Sequence, residues 1–202
     1  MASFATDIGT AAGPAHVEID RPPAASFLVL MTHGAGGGVG TKDLLAVRDA
    51  AVARGGVVGR VLQPYRVRGA RAPGAPGPQD AAWLEIVAAV RQEYAGVPLI
   101  QGGRSNGARV ACRTAGAAGA AGVIALAFPL HPPGRPEQSR AAELRSAGAD
   151  VLVVNGDRDP FGIPAAEDAA RVVVLPGETH SLSRNPRAIG AAVGAWLDDL
   201  LT

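Results

Sequence analysis

A serine stands between two glycines in residues 103–107, which read GRSNG. This G-x-S-x-G pattern is typical of a serine on a strained strand-to-helix turn, where flanking glycines permit close backbone approach. The apolar run 97–100 precedes the motif and the helix-compatible run 108–112 follows it. With 27 glycines in the chain the pattern alone is weak, but this setting predicts that Ser105 is a nucleophile for acyl transfer.

A serine nucleophile needs a base and an acid that orients the base, and behind such a turn the chain order is Ser, Asp or Glu, then His. Asp157 and Asp159 follow a predicted strand, and His180 follows the next one. His180 is therefore the predicted base. We favour Asp159 as the acid, although Asp157 remains an alternative; a turn aspartate often hydrogen-bonds its own backbone instead.

The other histidines suit the role of base less well. One lies on the first predicted strand, one precedes a glycine run, and one comes before the acid in the chain: His16, His33 and His131.

Acyl transfer also needs N–H donors for the oxyanion that forms. Asn106, directly after the serine, supplies one, and the glycine run 33–38 supplies the other, from Ala35. The same run resembles a phosphate-binding loop, but it lacks the G-K-[ST] ending. No acidic residue stands about 20 positions on at the end of a second strand, as a dinucleotide site would require. We therefore expect no nucleotide and no other cofactor.

Short apolar runs alternate with segments of helical periodicity along the whole chain. This alternation predicts an α/β fold with a mostly parallel central sheet of about seven strands flanked by helices. The predicted strands are residues 16–20, 27–33, 57–63, 97–103, 122–128, 150–156 and 171–176. Since parallel strands end at one edge, the loops that carry Ser105, Asp159 and His180 should meet there.

Two apolar stripes predict helices that pack on this sheet. The first is Trp83, Val87, Val90 and Tyr94, with Asp80 as a possible N-cap. The second is Ile189, Val193, Trp196 and Leu200, with Asn185 as N-cap and Pro186 as the first helical residue. Further helices are expected over 41–54 and from Ser105 onward.

Two segments carry no regular pattern. Residues 1–13 precede the first predicted strand and can remain disordered, while residues 64–78 are rich in Pro, Gly and Arg. The second segment follows a strand, so we expect a long loop at the rim of the site. Its arginines, Arg66, Arg68 and Arg71, form either a solvated face or contacts to an anionic substrate.

Composition limits the classes of partner. The 202 residues suit one domain, and a net charge of +1 disfavours binding to nucleic acid or an anionic membrane. No apolar run is long enough to span a bilayer and the N-terminus lacks a signal peptide, so we expect a cytoplasmic protein. The single Cys112 allows no internal disulfide, and no ligand cluster predicts a metal site.

The sequence resembles the small, cap-less, dienelactone-hydrolase-like branch of the α/β-hydrolases. The likeness covers most of the chain, through HGAGGG (33–38), QPYRVRGARAP (63–73), GGRSNGAR (102–109), FPLHPPGRPEQSR (128–140), GDRDPFG (156–162) and GETHSL (177–182). It implies a single α/β-hydrolase domain over residues 1–202 without a cap. Many members of this branch are only predicted hydrolases, and some eukaryotic relatives are subunits of chromatin complexes.

The resemblance also implies roles for individual residues. Ser105, Asp159 and His180 match the catalytic triad, and Ala35 and Asn106 match the oxyanion positions. Substrate contacts are implied for His33, Tyr65, Arg66 and His131, although the turn 131–133 can also be merely rigid.

The leading hypothesis is a monomeric or homodimeric hydrolase of small or medium esters or thioesters. Two alternatives stay open: a binding or scaffold protein that keeps the fold without turnover, and an acyltransferase with the same triad.

Overall fold

An eight-stranded sheet forms the centre of the protein, and the computed structural model describes residues 2–202. The strands are β1 (Ala2–Ile8), β2 (Ala15–Arg21), β3 (Phe27–Thr32), β4 (Gly56–Leu62), β5 (Leu99–Arg104), β6 (Gly122–Leu126), β7 (Asp150–Gly156) and β8 (Arg171–Leu175). Their order is β1-β2-β4-β3-β5-β6-β7-β8. β2 is antiparallel to both of its neighbours, and β3 to β8 pair in parallel.

Six helices surround this sheet. They are α1 (Lys42–Val52), α2 (Pro64–Val67), α3 (Pro76–Glu93), α4 (Asn106–Ala118), α5 (Ala141–Arg145) and α6 (Pro186–Leu200), with a 3₁₀ turn at Ala166–Asp168. α1 packs against α6, whereas α3 and α5 pack against α4.

The strands bury both of their faces, which explains why they read as continuous apolar runs. Along β3, Leu28 and Leu30 lie in one core with residues of α3 and α4. Phe27, Val29 and Met31 lie in a second core with residues of α1 and α6. The predicted α/β sheet is therefore confirmed, with one strand more than expected.

The additional strand is β1, and the expectation that residues 1–13 are disordered is wrong for residues 2–8. They pair with β2 from Ala2↔Arg21 to Ile8↔Ala15, and a tight turn between Thr10 and Gly13 joins the two strands. β1 is exposed along nearly its whole length, so it lacks the alternation that marks a half-buried strand. Met1 lies outside the described residues.

The segment 64–78 is not one long loop. Its first residues form the short helix α2, and its last residues already belong to α3, so that 68–75 alone is irregular. α3 begins at Pro76, and the prediction that Asp80 is its N-cap is wrong. Asp80 instead accepts hydrogen bonds from Arg113 of α4 at 2.6 and 2.8 Å.

Both predicted apolar stripes are confirmed. Trp83, Val87 and Val90 are buried in the core, and Tyr94 packs against it. At the start of α6 the side chain of Asn185 accepts a hydrogen bond from the Ala188 N–H, as expected of an N-cap.

Candidate active site

Ser105 occupies the turn between β5 and α4, with φ 53° and ψ −113°. Non-glycine residues rarely adopt a positive φ, and such strain persists only where surrounding contacts impose it. A β-carbon at Gly107 would lie 2.6 Å from the Thr32 carbonyl oxygen, and one at Gly103 would lie 2.6 Å from the Gly107 carbonyl carbon. The two glycines thus allow the turn to press against β3, and the turn presents the serine hydroxyl at the carboxyl edge of the sheet.

Ser105, His180 and Asp159 form a continuous hydrogen-bonded line. The Ser105 Oγ lies 2.9 Å from His180 Nε2, and His180 Nδ1 lies 2.8 Å from Asp159 Oδ2. Because an ionised carboxylate only accepts, Nδ1 carries the proton and Nε2 is free to accept the hydroxyl proton. This is the arrangement that activates a serine for attack on a carbonyl.

Asp157, the alternative acid, points elsewhere. Its side chain is exposed and accepts a hydrogen bond from the Gly177 N–H at 2.7 Å. It therefore connects the loop after β7 to the loop after β8 and makes no contact with the imidazole. Asp159 has a fully buried side chain, and its second oxygen accepts the Phe161 N–H at 2.9 Å.

Asn155 holds the loop of Asp159 in place. It is fully buried in β7, accepts the Phe128 N–H at 2.9 Å, and donates to the carbonyl oxygens of Phe128 at 3.1 Å and Gly162 at 3.3 Å. Asn155 is not among the site residues predicted from the sequence. One signal was available, since Asn155 is a polar residue inside an otherwise apolar strand.

Glu178 and Phe161 hold the loop of His180. The fully buried carboxylate of Glu178 accepts the backbone N–H groups of Arg184 and Asn185, at the start of α6. The Phe161 ring lies 4.3 Å from the His180 ring between centroids. Both residues lie in segments that carry the family resemblance, GDRDPFG and GETHSL, but the sequence assigned neither of them a role.

The glycine run after β3 presents a free N–H beside the nucleophile. The Gly34 carbonyl accepts the Gly37 N–H at 2.9 Å and a hydrogen bond from His33 Nδ1 at 2.8 Å. In a trans peptide the next N–H points the opposite way, so the Ala35 N–H turns away from these partners. Within residues 2–202 this N–H has no backbone acceptor, and Asn106, as the first residue of α4, has an N–H without an acceptor inside the helix. A β-carbon at Gly34 would lie 3.3 Å from Ser105 Cβ, which shows how near the run comes.

His33 supports this run from inside the protein. It is 1% exposed, its Nε2 accepts the Gln63 N–H at 3.1 Å, and burial together with the nearby Arg66 lowers its pKa. His33 is therefore a neutral imidazole with both nitrogens engaged by the backbone. Contact of His33 with substrate stays a prediction, and both of its ring nitrogens already have backbone partners.

The other three residues implied as substrate contacts also bind the loops of the site. Tyr65 is buried and packs edge-on to His33, while burial raises its pKa to about 12. Arg66 donates to the Gly37 and Ala70 carbonyl oxygens at 2.9 and 3.0 Å, and His131 Nδ1 lies 2.9 Å from the Pro132 carbonyl oxygen. Contacts of Tyr65, Arg66 and His131 with substrate stay predictions.

Residues 2–202 contain neither a cluster of metal-binding side chains nor a membrane-spanning helix. No group of three or more His, Cys, Asp or Glu side chains in this part of the chain is arranged to hold a metal ion. None of the helices described is long and apolar enough to cross a membrane.

Solved structures share this fold over nearly their full length. Est1E from Butyrivibrio proteoclasticus is 16% identical, with a TM-score of 0.78 and 98% of each chain covered. Dienelactone hydrolase from Anabaena variabilis is 16% identical, with a TM-score of 0.78 over 98% of this chain and 97% of that one. XC6422 from Xanthomonas campestris, an α/β serine hydrolase without a lid, is 21% identical. Its TM-score is 0.74, with 98% of this chain and 94% of that one covered.

The family assignment comes from the sequence itself. No curated protein matches the chain. The family model for the alpha/beta hydrolase domain matches residues 25–188, which include every residue of the hydrogen-bonded line. The resemblance to cap-less, dienelactone-hydrolase-like proteins is thereby confirmed at the level of family and fold. With its strained serine turn and its eight-stranded, mostly parallel sheet, the chain belongs to the alpha/beta hydrolase family.

Proposed function

We propose that the protein is a serine hydrolase that cleaves a carboxylic ester or thioester of small to medium size through an acyl-enzyme. Ser105 is the nucleophile, His180 the general base and Asp159 the acid that orients it. The observation that carries the proposal is the hydrogen-bonded line Asp159–His180–Ser105, with the serine held at a positive φ.

Each residue has a defined step in the reaction. As the Ser105 Oγ attacks the substrate carbonyl carbon, His180 Nε2 takes its proton, and Asp159 stabilises the imidazolium that results. The negative charge on the carbonyl oxygen is stabilised by the N–H groups of Asn106 and Ala35, with help from the N-terminus of α4. His180 then gives the proton to the leaving alcohol or thiol. In the second step His180 takes a proton from water, which attacks the acyl carbon, and returns it to the Ser105 Oγ as the carboxylic acid is released.

An open site and two relatives support an ester-type substrate. Ser105 and His180 are partly exposed, as access from solvent requires. The related structures include a dienelactone hydrolase and Est1E with ferulic acid bound. A carboxylic ester or thioester of small to medium size is therefore the substrate class we propose.

The proposal is tested with a fluorophosphonate probe, which reacts with activated serines. We expect labelling at residue 105, its loss in Ser105→Ala, and unchanged labelling in Ser146→Ala, a matched control at an exposed serine. p-Nitrophenyl acetate should give a burst of product equal to the enzyme present, because the acyl-enzyme accumulates.

Two outcomes would redirect the proposal. Folded protein that takes up no probe would favour the scaffold alternative. Faster loss of p-nitrophenyl acetate upon addition of an alcohol or amine, with formation of the transferred ester or amide, would favour the acyltransferase.

A further inference from the structure

Arg104, the residue before the nucleophile, reaches three separate parts of the active site. Its Nη2 donates to the main-chain carbonyl oxygen of His180 at 2.9 Å. Its Nε lies 3.1 Å from Asp43 Oδ2, at the start of α1. A β-carbon at Gly34, beside the Ala35 donor, would lie 3.2 Å from its Nη1. One guanidinium thus connects the base loop to the first turn of α1 and lies beside the glycine run.

Asp43 forms an ion pair with this guanidinium, although the contact between Nε and Oδ2 lacks hydrogen-bond geometry. The carboxylate is 1% exposed, and burial raises its pKa although the Thr41 hydroxyl, the Arg104 charge and the Leu44 N–H act to lower it. A buried carboxylate without a cation is strongly unfavourable, so Arg104 is held near Asp43. Because α1 packs against β4 and α6, the Arg104–Asp43 pair is attached to a helix that is part of the core.

The position of the loop that carries His180 depends on the Arg104–Asp43 ion pair. Residues 177–183 form no helix or strand, and the loop is bound at one end by the Glu178 carboxylate to the start of α6. At His180 itself, Arg104 is the side chain that holds the main chain, whereas Ser105 and Asp159 hold the ring. Movement of this carbonyl would carry the imidazole away from Ser105.

We propose that Arg104, anchored by Asp43, is a positioning residue that sets the place of the His180 imidazole between Ser105 and Asp159. The inference rests on the proposed function. Arg104 is the second residue of the GRSNG motif, a position at which the G-x-S-x-G pattern allows any residue. The inference gives this position a specific role.

The planar guanidinium suits this task because its N–H groups point in fixed, separate directions. A lysine in its place keeps the charge but offers one compact donor group. Arg104→Lys should therefore restore only part of what Arg104→Gln loses, because it can satisfy either Asp43 or the His180 carbonyl. An effect of charge alone would instead be fully restored by lysine.

The test compares kcat and KM for p-nitrophenyl acetate in the full chain. A displacement of about 1 Å at a catalytic group can cost about a hundredfold. We expect Arg104→Gln to lower kcat by about tenfold to a hundredfold with KM unchanged within about twofold. Asp43→Asn should give a similar but smaller loss, and the double variant should be no worse than Arg104→Gln, since Asp43 acts through Arg104.

Arg109→Gln is the matched control. It breaks an ion pair with Glu143 that is as buried as the Arg104 side chain, but this pair joins α4 to α5 and involves none of Ser105, Asp159 and His180. It should lower the melting temperature and leave kcat unchanged. A folded Arg104→Gln or Arg104→Lys variant with wild-type kcat would overturn the inference. Wild-type protein that the fluorophosphonate does not label would overturn the proposed function first.

A readout independent of turnover is the proton on His180 Nδ1. In the wild type, its hydrogen bond to Asp159 should give a far-downfield resonance in the proton NMR spectrum. We expect this resonance to broaden or vanish in Arg104→Gln and to persist in Arg109→Gln. Its persistence in both variants, together with unchanged kcat, would assign Arg104 a structural role only.

Discussion

Asp157 and Asp159 are two residues apart in one loop, but they have different surroundings. Asp157 is exposed and binds one backbone N–H, whereas Asp159 is buried against His180. A carboxylate stabilises the imidazolium only from the second position, because only there does it contact the ring.

The two aspartates should therefore differ sharply in their effect on turnover. Asp159→Asn should lower kcat by about 10⁴-fold, because the amide can donate to Nδ1 and favour the tautomer that cannot accept the serine proton. Asp157→Asn should stay within about threefold of the wild type, since the amide oxygen still accepts the Gly177 N–H. Steady-state kinetics on one ester settles the comparison, and the reverse ranking would exclude Asp159 as the acid.

At the scale of elements, the close approach of α4 to β3 shapes the serine turn. A side chain at Gly107 would meet the carbonyl oxygens of Thr32 and His33 at 2.6 and 2.7 Å. The Thr32 oxygen belongs to β3 and the His33 oxygen directly follows it. Neither backbone atom can shift without displacing the glycine run. The serine turn of residues 103–107, called the elbow below, and the glycine run 33–38 thus constrain each other.

Gly107→Ala should for this reason destabilise the protein by about 1–3 kcal/mol or prevent folding. Gly116→Ala, on the same helix, is the control: its β-carbon would meet only the Ala147 carbonyl oxygen at an ordinary 3.5 Å. That change should be neutral or stabilise by about 0.5–1 kcal/mol, because alanine favours a helix. Urea denaturation measures both, and equal stability of the two variants would contradict this account of the elbow.

Across the whole molecule, a buried ionic cluster joins the β1–β2 hairpin to the main sheet and α1. Asp20 of β2 accepts the Ser3 hydroxyl at 2.7 Å and Arg60 Nη2 at 3.0 Å, and Arg48 of α1 lies 3.6 Å away. Burial acts to raise the pKa of Asp20, but the hydrogen bonds from Ser3 and Arg60 and the charges of Arg60 and Arg48 outweigh it and lower the pKa.

The lowered pKa predicts a pH-dependent effect of Asp20→Asn. The ionised carboxylate stabilises the fold at neutral pH, and this contribution fades as the pH falls below 3.8 towards the lower folded pKa. We expect a loss of about 2 kcal/mol at pH 7 that shrinks steadily below pH about 4. Asp199→Asn, which breaks an exposed pair with Arg171, should cost less than about 1 kcal/mol.

Urea denaturation of both variants across this pH range measures the difference. A loss for Asp20→Asn that is the same at pH 3 and pH 7 would show that the carboxylate charge does not stabilise the junction.

Local sequence determined most of the sheet and the order of the candidate triad. Buried parallel strands need continuous apolar runs, and Ser105, Asp159 and His180 each follow such a run, so their meeting at one edge was predictable. β1 escaped prediction because its stability comes from pairing with β2 rather than from burial, which leaves no apolar pattern. The start of α3 at Pro76 was hidden by the Pro- and Gly-rich composition before it.

Only the tertiary structure decided which polar groups near the serine are free and which are engaged. Arg104 and Asp43 are 61 positions apart in the chain, and nothing in their separation predicts contact. Likewise, the sequence predicts substrate contacts for His33 and Arg66, and only the fold shows that both side chains also form hydrogen bonds to the backbone. A residue's type states what it can donate or accept, whereas its partner depends on which segments the fold brings within about 3 Å.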